Sequence, residues 1–202
     1  MKKLLFVIIM IFAGGGYFFC AASNEISFMH NISGSLDIQV VDPEGNPVGN
    51  PSLLFSSGIF SPAAQTVTAN LGSAAERIRL TNPSGTTDTW TLSIAATNGA
   101  TAVWTNGINS YDFNDPNGGG QMTVNPSMAN ISGVGETSTA NVSKGSIFAF
   151  SQGSKDSIDL MSASAGAVKP GQWDLTGVAI SQTIPGGQAV GSYSISMTLT
   201  AI

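Results

Sequence analysis

The chain has 202 residues, of which only 9 % are charged, far below the ~25 % of an ordinary soluble protein. Seven basic residues against twelve acidic ones give a net charge of −5, which excludes the clustered Lys and Arg that nucleic-acid binding requires. One cysteine and one histidine exclude a disulfide framework and leave too few ligands for a zinc site.

Met1-Lys2-Lys3 followed by the apolar run Leu4 to Phe12 has the layout of a secretory signal, and Gly14-Gly15-Gly16 breaks any helix behind it. Cys20-Ala21-Ala22 places small residues where a signal peptidase cuts, so residues 1–22 are expected to be removed, with Ser23 or Asn24 leading the mature chain. Two alternatives stay open. Cys20 is a potential acylation point, although a lipoprotein signal normally has a small residue where Phe19 stands. Residues 4–23 are also just long enough to remain as an anchor, since a span takes ~20 residues. After cleavage five basic residues (Arg77, Arg79, Lys144, Lys155, Lys169) face twelve acids, a charge of −7. The expected mature protein is therefore secreted, without cysteine, and has no attraction to an anionic membrane surface.

Ser23 to Ser33 is a polar lead-in that contains His30 and reaches to about residue 34; a single domain over 35–202 follows. Leu36, Ile38 and Val40 alternate with Asp37, Gln39 and Val41, which predicts a first strand. Asp42-Pro43-Glu44-Gly45-Asn46-Pro47 is turn chemistry. Leu53-Leu54-Phe55 is a short apolar run, and Val67, Ala69 and Leu71 alternate with Thr and Asn. Ile78 and Leu80 alternate with Arg77 and Arg79, and the turn Asn82-Pro83-Ser84-Gly85 leads to Thr89-Trp90-Thr91-Leu92-Ser93-Ile94. That layout predicts an antiparallel hairpin. In the second strand Trp90, Leu92 and Ile94 share one parity, and hydroxylated side chains share the other.

Thr101 to Thr105 predicts a strand carrying Trp104. Asn106 to Gly120 is the longest polar interruption, and Thr123 to Gly145 predicts weak strands and exposed loops. Ile147 to Phe150, Ile158 to Leu160, and Val178 with Ile180 are later strands. After the turn Pro185-Gly186-Gly187, Tyr193, Ile195, Met197 and Leu199 alternate with Ser and Thr in a closing strand. Helical spacing of apolar residues never persists beyond about two turns after residue 22. The 24 glycines and 9 prolines fall between apolar runs as punctuation. The predicted fold class is all-β, an antiparallel β-sandwich (Ig-like or jelly-roll-like) of ten to twelve short strands.

Two Trp-x-Leu segments stand out, Trp90-Thr91-Leu92 and Trp173-Asp174-Leu175. With Gly171-Gln172 before the second, and Ile184-Pro185-Gly186-Gly187-Gln188-Ala189-Val190-Gly191-Ser192-Tyr193 after it, the layout resembles the WxL domain of Gram-positive surface proteins over residues 65–202. The chain departs from that family in its last strand, where Met197 or Leu199 takes the place of a terminal Trp. The resemblance implies a non-enzymatic module held non-covalently on the cell wall through peptidoglycan, or on other surface proteins, in an adhesive role. A vaguer similarity is to extracellular fibre subunits of the TasA and camelysin type. It implies a filament or biofilm-matrix subunit; in such a subunit an end segment of one chain could complete the next, and Ser23–Ser33, with Ile26, Phe28, Met29 and Ile32, is the candidate arm.

Three chemistries are weighed on the residues. The one histidine lies in the lead-in, where a relay base would not be held against a nucleophile, so no catalytic residue is assigned. A sugar-cleaving carboxylate pair has no distinguishing pattern among acids that mostly neighbour turns. Asp112, Asn114, Asp115 and Asn117 offer oxygen ligands of the kind calcium takes, but Pro116 breaks the EF-hand spacing and turns use the same residues. No cofactor is expected. For a wall glycan or another ligand, Trp90, Leu92, Trp173 and Leu175 are candidates, although each Trp in phase with Leu is also a core pattern. Trp104 with Tyr111, beside the polar loop, is the best candidate for an exposed aromatic. Asn31, Asn130 and Asn141 begin glycosylation-type triplets, which Asn/Ser-rich sequence produces by chance.

Overall fold

The computed structural model describes residues 34–202; the expected signal, the cleavage site and His30 lie outside them. The described residues form fifteen strands: β1 Asp37–Val41, β2 Gln65–Leu71, β3 Arg77–Asn82, β4 Trp90–Ala96, β5 Val103–Thr105, β6 Ser110–Asp112, β7 Asn114–Asp115, β8 Gly120–Asn125, β9 Asn130–Gly133, β10 Val142–Lys144, β11 Phe148–Ala149, β12 Ser157–Ala163, β13 Gly171–Thr176, β14 Val178–Ile184 and β15 Met197–Ala201. Ten of them have four or more residues, and the other five are pieces of two or three. Two 3-10 turns, Gly99–Thr101 and Pro126–Met128, are the only helical elements among the described residues.

Every pairing is antiparallel. One sheet has the order β1-β3-β13-β9, a second β10-β12-β4-β15, and a third β11-β8-β14-β2 with β7 beside β8. The first two face each other. Their inner surfaces meet where Trp90 of β4 lies against Trp173 of β13, ring centroids 5.0 Å apart. The two Trp-x-Leu segments are therefore partners across one core, each contributing its in-phase Leu92 or Leu175, both fully buried.

Strict alternation accounts for most of this core. Along β4 the pattern runs buried, half-buried, buried from Trp90 to Ala96, as side chains on a strand must when only one face is covered. β12 breaks the rule once, because Leu160 and Met161 are both fully buried. A register shift between Asp159 and Met161 explains it: the extra residue of a bulge turns the following side chains back to the same face.

The third sheet grows out of the first. β2 runs into β3 and β13 into β14, so the same two chain segments pair twice, above and below a bend. Gly72 (φ +77°) and Gly177 (φ +73°) lie at the bend, joined by a Gly177 N–H to Gly72 C=O bond. A Cβ on Gly72 would lie 2.7 Å from the Leu175 carbonyl oxygen, so both the backbone angle and the space require glycine there.

The expected β3–β4 hairpin is not formed. β3 pairs with β1 and β13, while β4 pairs with β12 and β15 in the facing sheet. Residues 83–89 cross between the sheets as an arch. Asn82, 1 % exposed, holds its start: the side-chain amide donates to Thr87 C=O at 2.7 Å and accepts from Ser84 N–H at 3.0 Å. The stretch 106–120 is also more regular than expected. It contains the turn and second strand of the tight β5–β6 hairpin, and β7. β8 is a core strand with Met122 and Val124 buried.

Candidate functional site

Trp104 is a core residue, which corrects the expectation of an exposed ring. It is 8 % exposed, and its Nε1–H donates to Gln182 Oε1 at 2.9 Å. Phe55 meets it edge-on at 5.4 Å, and Tyr111 stacks on it at 6.1 Å. Gln182 is itself fully buried and donates to the Asp112 and Thr183 carbonyls. The amide thus serves to satisfy the indole inside the protein. Trp90, Leu92, Trp173 and Leu175 are likewise buried. None of the six candidates presents a free face on which a sugar ring could stack.

Tyr111 carries one measurable consequence. Burial, with Tyr193 5.3 Å away adding to it, pushes its phenol pKa up to about 12. A phenol whose pKa is 10 unfolded and higher when folded favours the folded state fully below pH 10. That contribution is lost as pH rises through 10 towards 12. Thermal melts between pH 9 and 12 should therefore fall in Tm above pH 10, and Tyr111→Phe should flatten part of the fall. Identical slopes in the two proteins would contradict the burial of this hydroxyl.

The acidic stretch spans the end of β6, β7 and the turn that follows. Asn114 points inward at 2 % exposure and donates to Ala100 C=O. Asp115 accepts from the backbone N–H groups of Asn117 and Gly119. Its carboxylate oxygens are engaged in holding the turn, as Asx chemistry does. Among the described residues no group of three or more His, Cys, Asp or Glu is placed to hold a metal ion.

A charged cluster missed by the sequence reading lies on the outer face of the first sheet. Arg79 forks onto Asp174 at 2.7 and 2.9 Å, and Arg77 Nη1 approaches the same carboxylate at 3.3 Å. Asp174 is 3 % exposed. The register opposes Arg79 to Asp174, and Arg77 Nη2 also ties down the Asp42 carbonyl. The Arg–Asp174 contacts tie β3 to β13, and the Arg77 bond to Asp42 fastens the 42–47 turn beside them.

A concavity lies where the sandwich opens at one side. β9 ends the first sheet and β10 ends the second, and between them runs a groove of about 580 Å³. Residues from the 3-10 turn before β9, from β9 itself, from β10 and from the loop after it form its walls. Compared with protein-family models, curated proteins and solved structures, the chain matches none.

Proposed function

We propose that the protein is an exported, non-enzymatic module that attaches to the cell wall without a covalent link. The observation that carries this reading is the meeting of the two Trp-x-Leu segments as one buried pair, Trp90 against Trp173 at 5.0 Å. The motif that resembles the WxL domain is then a scaffold signature: it builds the sandwich and leaves binding to the surface. A charge-poor exterior of hydroxyl and amide side chains suits a polyhydroxylated partner. Cell fractionation tests the reading. The protein should sediment with walls, withstand a high-salt wash that strips electrostatically held proteins, and be released by digestion of the glycan. Recovery in the medium, or release by salt alone, would contradict it.

A second reading, a subunit of an extracellular filament, draws on one surface feature. Leu54, Ile59 and Phe60 are 92, 78 and 62 % exposed. Their segment runs along the outer side of β2, where Ser56 N–H bonds to Thr68 C=O. Exposed apolar side chains beside a sheet edge recruit partners. Light scattering separates the readings: a wall module is monomeric with or without Ser23–Ser33, and a filament subunit forms large assemblies that the shortened chain does not.

A further inference from the structure

We infer that the groove between β9 and β10 is the glycan-binding site, taking a sugar strand that carries a carboxylate; this rests on the wall-attachment reading above. The groove's volume of about 580 Å³ falls within the range of ligand clefts, roughly 300–1,000 Å³. Its two walls are edge strands, each paired on one side only among the described residues.

The chemistry of the lining is uneven in an informative way. Asn130, Thr139, Ser143 and Ser146 line the groove, and among the described residues none of these side chains forms a hydrogen bond. Hydroxyls and amides that both donate and accept are the groups that match sugar hydroxyls, which also do both. Ile131 and Val142 lie in the same lining and pack inward against the core. They give an apolar strip against which the C–H face of a pyranose can rest.

Lys144 sets the charge. Among the described residues it is the only charged one in the lining, on a chain with far more acids than bases. Its ammonium reaches across from β10 to donate to the Ala129 carbonyl, 2.9 Å away, just before β9. That bond fixes the head group at the groove and leaves two N–H donors for a ligand. No acidic side chain competes for them in the lining. A neutral sugar would leave those donors to water, whereas a carboxylate on the sugar would receive a charge-assisted bond.

The test uses the 15N-labelled protein and two soluble probes. One is a peptidoglycan tetrasaccharide with muramic carboxylates and no peptide stems; the other is chitotetraose, its uncharged counterpart. The expected result is that amide shifts concentrate on Asn130, Thr139, Ser143, Lys144 and Ser146. The tetrasaccharide should bind about tenfold more tightly than chitotetraose, the size of one charge-assisted hydrogen bond. Lys144→Met should abolish that difference and Lys144→Arg should keep it. Ser143→Trp, at an exposed position, should block both probes while the melting temperature holds.

Shifts elsewhere on the surface, or full discrimination by Lys144→Met, would overturn the site and leave wall attachment standing. A stem peptide that moves the same amides when the tetrasaccharide does not would overturn it in favour of strand addition. Failure of the wild-type protein to bind intact walls would overturn both readings together.

Discussion

Removal of Tyr193–Ile202 is expected to leave a chain that does not fold. Among the described residues β15 is the sole partner of β4 on that side, in register from Met197 opposite Ala96 to Ala201 opposite Leu92. Backbone bonds extend the pairing at both ends, with Thr97 N–H to Ser196 C=O and a reciprocal pair between Thr91 and Ile202. Tyr193, Ile195, Met197 and Leu199 each half-bury a large side chain against the core. At about 1 kcal/mol or more apiece for a half-buried apolar side chain, the four amount to several kcal/mol. The truncation also uncovers one edge of β4, the strand that holds Trp90, Leu92 and Ile94. Against a total of about 5–15 kcal/mol for a domain, that loss is decisive. Far-UV circular dichroism and limited proteolysis read the outcome. A truncated chain with the parent's melting temperature would show that β15 is an accessory to the sandwich.

Trp173→Ala should cost about 3–5 kcal/mol, as large-to-small changes of fully buried aromatics do. A finer comparison isolates the hydrogen bonds. Trp173 Nε1–H donates to Ser138 C=O at 3.0 Å, whereas Trp90 Nε1–H is buried with no acceptor among the described residues. Trp173→Phe removes volume and a satisfied bond together. Trp90→Phe removes similar volume but also relieves a donor whose burial costs about 1–3 kcal/mol. Trp90→Phe should thus be the milder of the two by about 1 kcal/mol or more. Urea denaturation of both variants measures the difference. Equal losses would mean that Trp90 has a partner the geometry does not provide.

The pairing of these two residues shows what alternation can and cannot convey. Parity put Trp90, Leu92 and Ile94 on one face, and likewise Trp173 with Leu175, and it put Tyr193 to Leu199 in a closing strand. Trp90, Leu92, Ile94, Trp173 and Leu175 are buried; the closing strand begins only at Met197, so Tyr193 and Ile195, half-buried, precede it. Parity is silent on whether two inward-facing strands lie side by side or across the core. β3 and β4 carry the same apolar alternation in a hairpin as in an arch, and the turn residues Asn82-Pro83-Ser84-Gly85 fit both. What decides it is the buried Asn82 amide gripping Thr87, an interaction that has no periodic signature.

Trp104 was misplaced for a related reason. The long polar stretch 106–120 follows it, and the groups that bury it, Phe55 and Gln182, come from segments 49 and 78 residues away. Burial by distant chain leaves no local trace. The groove is similarly invisible, because Thr123 to Gly145 reads as polar filler. Only the sheet order makes β9 and β10 edges on the same side of the sandwich. The buried Asp174 was hidden by its position between Trp173 and Leu175, and its partners are set by the register of β3 against β13.

Binding to purified walls tests wall attachment most directly. Peptidoglycan stripped of proteins is mixed with increasing amounts of the protein, and the sedimented fraction is measured at low and high salt. A non-covalent wall module gives saturable binding that survives high salt, while the unbound protein remains monomeric. Protein that stays in the supernatant at every concentration, or that sediments equally well without walls, would contradict the account.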